Sequence, residues 1–190
     1  MLTMMPMAAC AGSNADPILP EQPGQPGNSD GGDEDDSTNP TNPIPGGNGR
    51  YLVLYCSRTG STERMAQQIQ QTLDCDILEV EPQTPYESDY NGMLNRAQEE
   101  LAAIRQGNYP AIKTSVEDFG NYDIVFVGYP IWYGSMATPM QTFLHNHASK
   151  LAGKRIALFA SSGSSGISAS VDEARTLCSG ATFTETLLLT

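Results

Sequence analysis

Val53-Leu54-Tyr55-Cys56-Ser57-Arg58-Thr59-Gly60-Ser61-Thr62-Glu63-Arg64-Met65-Ala66 is the stretch that decides the fold. Residues 52–55 are apolar or aromatic throughout and read as a buried strand. Residues 63–73 read as a helix, because Met65, Ala66, Ile69 and Leu73 recur at three- and four-residue spacing. Between them lies a turn with one glycine and four hydroxyls, Ser57, Thr59, Ser61 and Thr62. A strand that feeds such a turn into a helix N-terminus makes an anion site. The first helical turn has unpaired N–H groups, and the macrodipole places partial positive charge there. Gly60 allows positive φ and close approach of the backbone to a ligand. No lysine follows Gly60, so this is not a P-loop, and G-x-G-x-x-G is absent, so it is not a dinucleotide fingerprint. A loop dominated by hydroxyls suits one terminal phosphate. An ordinary strand-to-helix turn does not require four hydroxyls in six residues.

The rest of the chain repeats the strand–helix alternation. Residues 76–81 read as a second strand ending at Pro82. Residues 91–106 read as a helix with Leu94, Ala97, Leu101 and Ile104 on one face and Gly107 just beyond. Residues 124–129 are nearly continuously apolar, as in a strand buried on both faces of a parallel sheet, and Pro130 is expected to stop it. A helix over 139–149, a strand over 155–160, a helix over 168–177 and a strand over 183–189 follow. This pattern predicts an α/β fold, a doubly wound five-stranded parallel sheet with right-handed crossovers. Ligands of such sheets sit outside the carboxyl ends of the strands at the topological switch point.

Residues 53–69 resemble the FMN-phosphate signature of flavodoxins, whose fixed positions are met by Tyr55, Ser57, Gly60, Thr62, Ala66 and Ile69. Pro130-Ile131-Trp132-Tyr133-Gly134 resembles the P-I-W-W-G loop of a bacterial flavodoxin-like family, and 161–166 its Ser/Gly-rich loop. The resemblance extends from Tyr51 to about Leu189. It implies strand order 2-1-3-4-5, with FMN as cofactor at the ends of strands one, three and four. Ser57, Arg58, Thr59, Gly60, Ser61 and Thr62 would hold the phosphate. Pro130, Ile131, Trp132, Tyr133 and Gly134 would meet the ring, and Ser162, Gly163 and Ser164 would wrap its polar edge. Trp132 is the only tryptophan in the chain, and an aromatic pair exposed at a strand end calls for a flat partner. Nearby acids would tune the potential. The resemblance also implies a closing helix after the last strand. None is found before Thr190, so part of one sheet face is expected to be uncovered.

No Ser-His-Asp set, carboxylate pair or zinc spacing is present, which favours a cofactor that carries the chemistry itself. His145 and His147, two residues apart on a helix, do not share a face, so they are not read as a metal pair. The expected function is electron transfer by an FMN-binding flavodoxin-like protein. The alternatives are an NAD(P)H-dependent FMN quinone reductase and a binding module of the same fold that has lost FMN.

Residues 1–50 differ in kind. They hold eight of the thirteen prolines and the run Asp33-Glu34-Asp35-Asp36, and such a segment is expected to be a disordered tether. The globular domain is 51–190. Met7-Ala8-Ala9-Cys10 resembles a lipoprotein cleavage box with Cys10 as the lipidated residue. That implies a signal peptide and a membrane-anchored lipoprotein outside the cytoplasmic membrane, a cytoplasmic location being the alternative. Cys56, Cys75 and Cys178 are expected to be buried thiols. Residues 51–190 carry fifteen acids against nine bases. This argues against nucleic acid and for a redox partner protein with a basic surface or for no partner, the charge then serving solubility alone.

Overall fold

The computed structural model describes residues 50–190. Cys10, the cleavage-box resemblance and nearly all of the expected tether lie outside the described residues.

Tyr51–Tyr55 forms β1, Ser61–Leu73 α1, Asp76–Glu79 β2 and Tyr90–Ile104 α2. Ile124–Trp132 forms β3, Ser135–Met136 β4, Thr138–His147 α3, Arg155–Ser161 β5, Ser168–Leu177 α4 and Thr182–Leu189 β6. The sheet order is β2-β1-β3-β5-β6, and all four pairings on that path are parallel. Counted over the five long strands this is the expected 2-1-3-4-5. Alternate residues of β1 serve opposite faces, as the pleat requires. Val53 and Tyr55 pack with Phe159 beneath Ala66 of α1. Leu52 and Leu54 pack with Val125, Val127, Ile156 and Leu158 beneath Met140, Phe143 and Leu144 of α3 and Val171 and Ala174 of α4. The helix α2 buries Met93, Ala97 and Leu101 and lies beside α3. No described helix follows β6. Its Leu187 and Leu189 are 59% and 51% exposed.

Pro130 does not stop the third strand. β1 ends with Tyr55 opposite Gly128, so beyond that point β3 pairs with β5 on one side only. A residue without an N–H is tolerated on such an edge. Pro130 still accepts a hydrogen bond from the Ala137 amide at 3.1 Å. β3 therefore continues to Trp132 and turns back into β4, pairing Ile131 with Met136 and Trp132 with Ser135. β2 ends earlier than expected, at Glu79. The Thr114 hydroxyl donates to the Glu79 carbonyl and accepts from the Glu81 amide, both at 2.9 Å, taking the place of a strand neighbour. The remaining element ends shift by at most two residues.

The three thiols are buried, and burial pushes each of them up in pKa, so they stay protonated. His145 is exposed and stacks on Tyr109, whereas His147 is buried and stacks on Phe143. The two rings occupy different surroundings. Among the described residues no helix is long and apolar enough to cross a membrane.

Candidate functional site

The helix α1 begins without a side-chain cap. Its N-cap is Gly60, at φ 80°, which makes no side-chain bond to the first turn. By contrast, Asp89 caps α2 by accepting from the Gly92 amide at 2.7 Å. The first backbone bond of α1 runs from Arg64 to the Gly60 carbonyl. The amides of Ser61, Thr62 and Glu63 therefore have no helical partner. Ser57 shapes the loop by accepting the Gly60 amide at 3.1 Å. The result is a start of helix with free donors and hydroxyls but no resident acceptor, which is the arrangement an anionic oxygen completes.

A cavity of about 580 Å³ opens on this turn. One end is walled by Ser57, Arg58, Thr59, Ser61 and Thr62, and the other by Pro130, Ile131, Trp132 and Tyr133. Ser161, Ser162 and Gly163 close it from the end of β5. The Thr62 and Ser161 hydroxyls lie 2.8 Å apart and tie the hydroxyl-rich turn to the Ser/Gly loop. Ser162 stiffens that loop by accepting the amides of Ser165 at 2.8 Å and Ser164 at 3.3 Å. The aromatic wall depends on the β3–β4 hairpin. Tyr133 at φ 52° and Gly134 at φ 80° form a two-residue turn with both central residues left-handed, the geometry that matches strand twist. A tyrosine in that region is strained, so the surroundings must hold it. Glu173 accepts the Met136 amide at 2.8 Å, and the Gln141 amide group donates to the Met136 carbonyl at 2.7 Å. The turn leaves Tyr133 half exposed, at 50%.

The structure thus brings the three expected loops together around one cavity. Gly60, Gly134 and Ser164 are not in its wall; they shape the backbone that carries it. Arg58 lines the cavity, but its guanidinium donates to the carbonyls of Ser88 at 3.2 Å and Asp89 at 3.3 Å, bracing the β2–α2 loop. Sequence reasoning missed Tyr90, Met93 and Leu94 of α2 and Leu189 and Thr190 at the chain end, all of which line the cavity. Nothing local in those segments signals a ligand; α2 meets the hairpin where the Tyr133 hydroxyl donates to the Leu94 carbonyl at 3.4 Å, and the β5–β6 pairing sets Leu189 opposite Ser161. The expected acids are not in this cavity. Glu79, Glu81 and Glu87 line a second one, about 410 Å³, which Trp132 also lines. Burial first, then the neighbouring Glu81 and Glu63 carboxylates, raise the Glu79 carboxyl above its ordinary range. The two cavities share Ser57, Arg58, Pro130 and Trp132.

A flavodoxin family profile matches residues 50–190. The chain belongs to the flavodoxin family. Solved structures agree. A protein from Bacteroides eggerthii DSM 20697, classed as a flavoprotein, is 34% identical, with a TM-score of 0.65 over 74% of this chain and 87% of that one. A similarly classed protein from Bacteroides uniformis ATCC 8492 is 29% identical, with a TM-score of 0.64 over 76% of this chain and 91% of that one. A flavoprotein from Lactobacillus acidophilus NCFM, solved in complex with FMN, is 26% identical, with a TM-score of 0.63 over 73% of this chain and 92% of that one. No curated protein sequence matches the chain.

Proposed function

We propose that this flavodoxin-family protein binds FMN in the larger cavity and works as an electron carrier. The observation that carries the reading is the uncapped, hydroxyl-ringed start of α1 facing Trp132 and Tyr133 across a single cavity. One end offers donors to a phosphate, the other offers aromatic surface to a flat ring, and about 580 Å³ is within the usual range for a cofactor site. The FMN complex of the 26% identical flavoprotein supports the choice of ligand. FMN supplies electron storage in one- or two-electron steps. This chain's residues would anchor the phosphate through residues 57–62, hold the ring against Trp132 and Tyr133, and shape its polar edge with 161–163. An absorbance spectrum of the purified protein, before and after FMN addition, tests the reading. Flavin bands with saturable binding are expected. A protein that stays colourless after FMN addition would select the module that has lost its cofactor.

One observation favours a second reading. The 410 Å³ cavity, also lined by Trp132, gives a small molecule room beside the ring site, as an FMN-dependent NAD(P)H quinone reductase requires. Rapid quinone-dependent NAD(P)H oxidation by the holoprotein alone would favour that enzyme; negligible turnover favours the carrier. The acidic domain, with fifteen acids and nine bases in residues 51–190, suits a redox partner with a basic face. The motif Met7-Ala8-Ala9-Cys10 supports lipid anchoring at Cys10. A tether of about 40 residues, if disordered as its composition leads one to expect, would then reach roughly 30–40 Å from the membrane. Cell fractionation with and without Cys10→Ser tests this. Protein that stays in the soluble cytoplasmic fraction in both cases would refute the anchor.

A further inference from the structure

Trp132 is partly buried and lines both cavities. An indole that borders two cavities needs something to hold it toward one of them. That support comes from Tyr86, in the loop between β2 and α2. The two rings meet edge to face, with centroids 5.1 Å apart and planes at 81°. Tyr86 is itself fixed from three directions. Its hydroxyl donates to the Glu100 carboxylate and lies 2.7 Å from the Thr138 hydroxyl, the first residue of α3. The Arg96 guanidinium lies over its ring, 4.2 Å from the centroid. Arg96 also pairs with Glu100 at 2.8 Å and donates to the carbonyls of Thr84 and Pro85, each at 2.9 Å. This pair is largely shielded, with side chains 22% and 12% exposed. A planar guanidinium that serves a carboxylate, two carbonyls and a ring face at once has little freedom left. The loop, and Tyr86 with it, is therefore bolted to α2.

We infer that Tyr86 is a positioning residue for Trp132, held in turn by Glu100 and Arg96, and that it keeps the indole from retreating into the second cavity so that it meets a planar ring in the first. The inference rests on the FMN reading for its ligand but not for its geometry. Tyr86 touches the indole and does not line the flavin cavity.

Trp132 is the only tryptophan, so its fluorescence anisotropy in flavin-free protein reports this one side chain. Tyr86→Leu should lower that anisotropy. It should weaken FMN binding by about two- to tenfold, the range of a lost aromatic pair. Riboflavin binding should weaken by the same factor, because the phosphate turn is untouched. In a Trp132→Phe background the same substitution should change FMN affinity by less than about twofold, since a residue acting through Trp132 has nothing left to act on. Equal losses with and without Trp132, or unchanged anisotropy, overturn the inference. If Tyr86→Leu does not fold, Tyr86→Phe and Glu100→Gln take its place. Both cut the tie at the hydroxyl and keep the ring, so a smaller fall in anisotropy is expected, and no fall in either overturns the inference. Should the wild-type protein not bind FMN, the proposed function fails, while the flavin-free anisotropy still decides the positioning role.

Discussion

Removing the phosphate from the ligand is the sharpest perturbation of the proposed site. Riboflavin keeps the ring and lacks only the group assigned to residues 57–62. The donors available at α1 are the amides of Ser61, Thr62 and Glu63, left without helical partners by a glycine cap that contributes no side-chain bond. Hydrogen bonds to a charged group are worth about 1.5–3 kcal/mol each, so three set a ceiling of roughly 5–9 kcal/mol. Stripping water from a phosphate offsets a large part of that, and about 3–4 kcal/mol net is expected. This corresponds to an affinity ratio on the order of 10²–10³ in favour of FMN. Quenching of flavin fluorescence on titration with flavin-free protein measures both constants in one buffer. The preference should fall as salt rises, because part of it is charge attraction at a partly exposed helix end. A ratio below about tenfold, or one indifferent to salt, would refute the assignment of the phosphate to this turn.

Three further outcomes follow from the packing. Trp132 emission should be strongly quenched when FMN binds, and Trp132→Ala should weaken binding by about 1–3 kcal/mol by equilibrium titration. Gly128→Ala places a Cβ 2.1 Å from the Phe159 ring in the sheet centre, so the melting temperature should drop by an amount matching a loss of about 1–3 kcal/mol or more. The imidazole of His147 donates from Nδ1 to the Phe143 carbonyl at 2.9 Å, and its Nε2 accepts the Val116 amide at 3.2 Å. Burial lowers its pKa from 6.5, so the folded state resists a proton that the unfolded chain accepts. Its contribution to stability is complete above pH 6.5 and declines as pH falls below it. Chemical denaturation of wild type and His147→Gln between about pH 5 and 8 should show a steeper loss on the acid side for wild type.

Much of the fold is legible in the sequence because each layer repeats the same physical pattern. The apolar runs at 52–55 and 124–129 have no polar face, so they belong in the sheet centre. The helix α4 carries a periodic stripe and falls where the pattern places it, at Ser168–Leu177. The hydroxyl-rich turn at 57–62 is legible too, since its residues lie within one stretch and form the start of α1. The hairpin after Pro130 is not, because whether a proline ends a strand depends on which neighbours flank it. That is a matter of register between β1, β3 and β5. The Tyr86, Arg96, Glu100 and Thr138 cluster draws on the β2–α2 loop and two helices that only the tertiary fold brings together. One local trace of it exists, the four-residue spacing of Arg96 and Glu100, but such pairs occur on many solvated helices and carry no pointer to a ring.

The hydroxyl contact between Thr62 and Ser161 joins residues 99 positions apart. During synthesis the phosphate turn is therefore complete long before the loop that faces it exists. A chain that has reached Trp132 carries the turn after β1 and the aromatic hairpin, already joined by the β1–β3 pairing, but not Ser161, Ser162 and Gly163, which close the cavity. If FMN binds as proposed, its capture belongs to a stage after β5 has formed. In kinetic terms the cofactor has little to grip in an early intermediate and much to grip in the finished domain. Its stabilisation should therefore appear as slower unfolding, with early refolding left at its intrinsic pace.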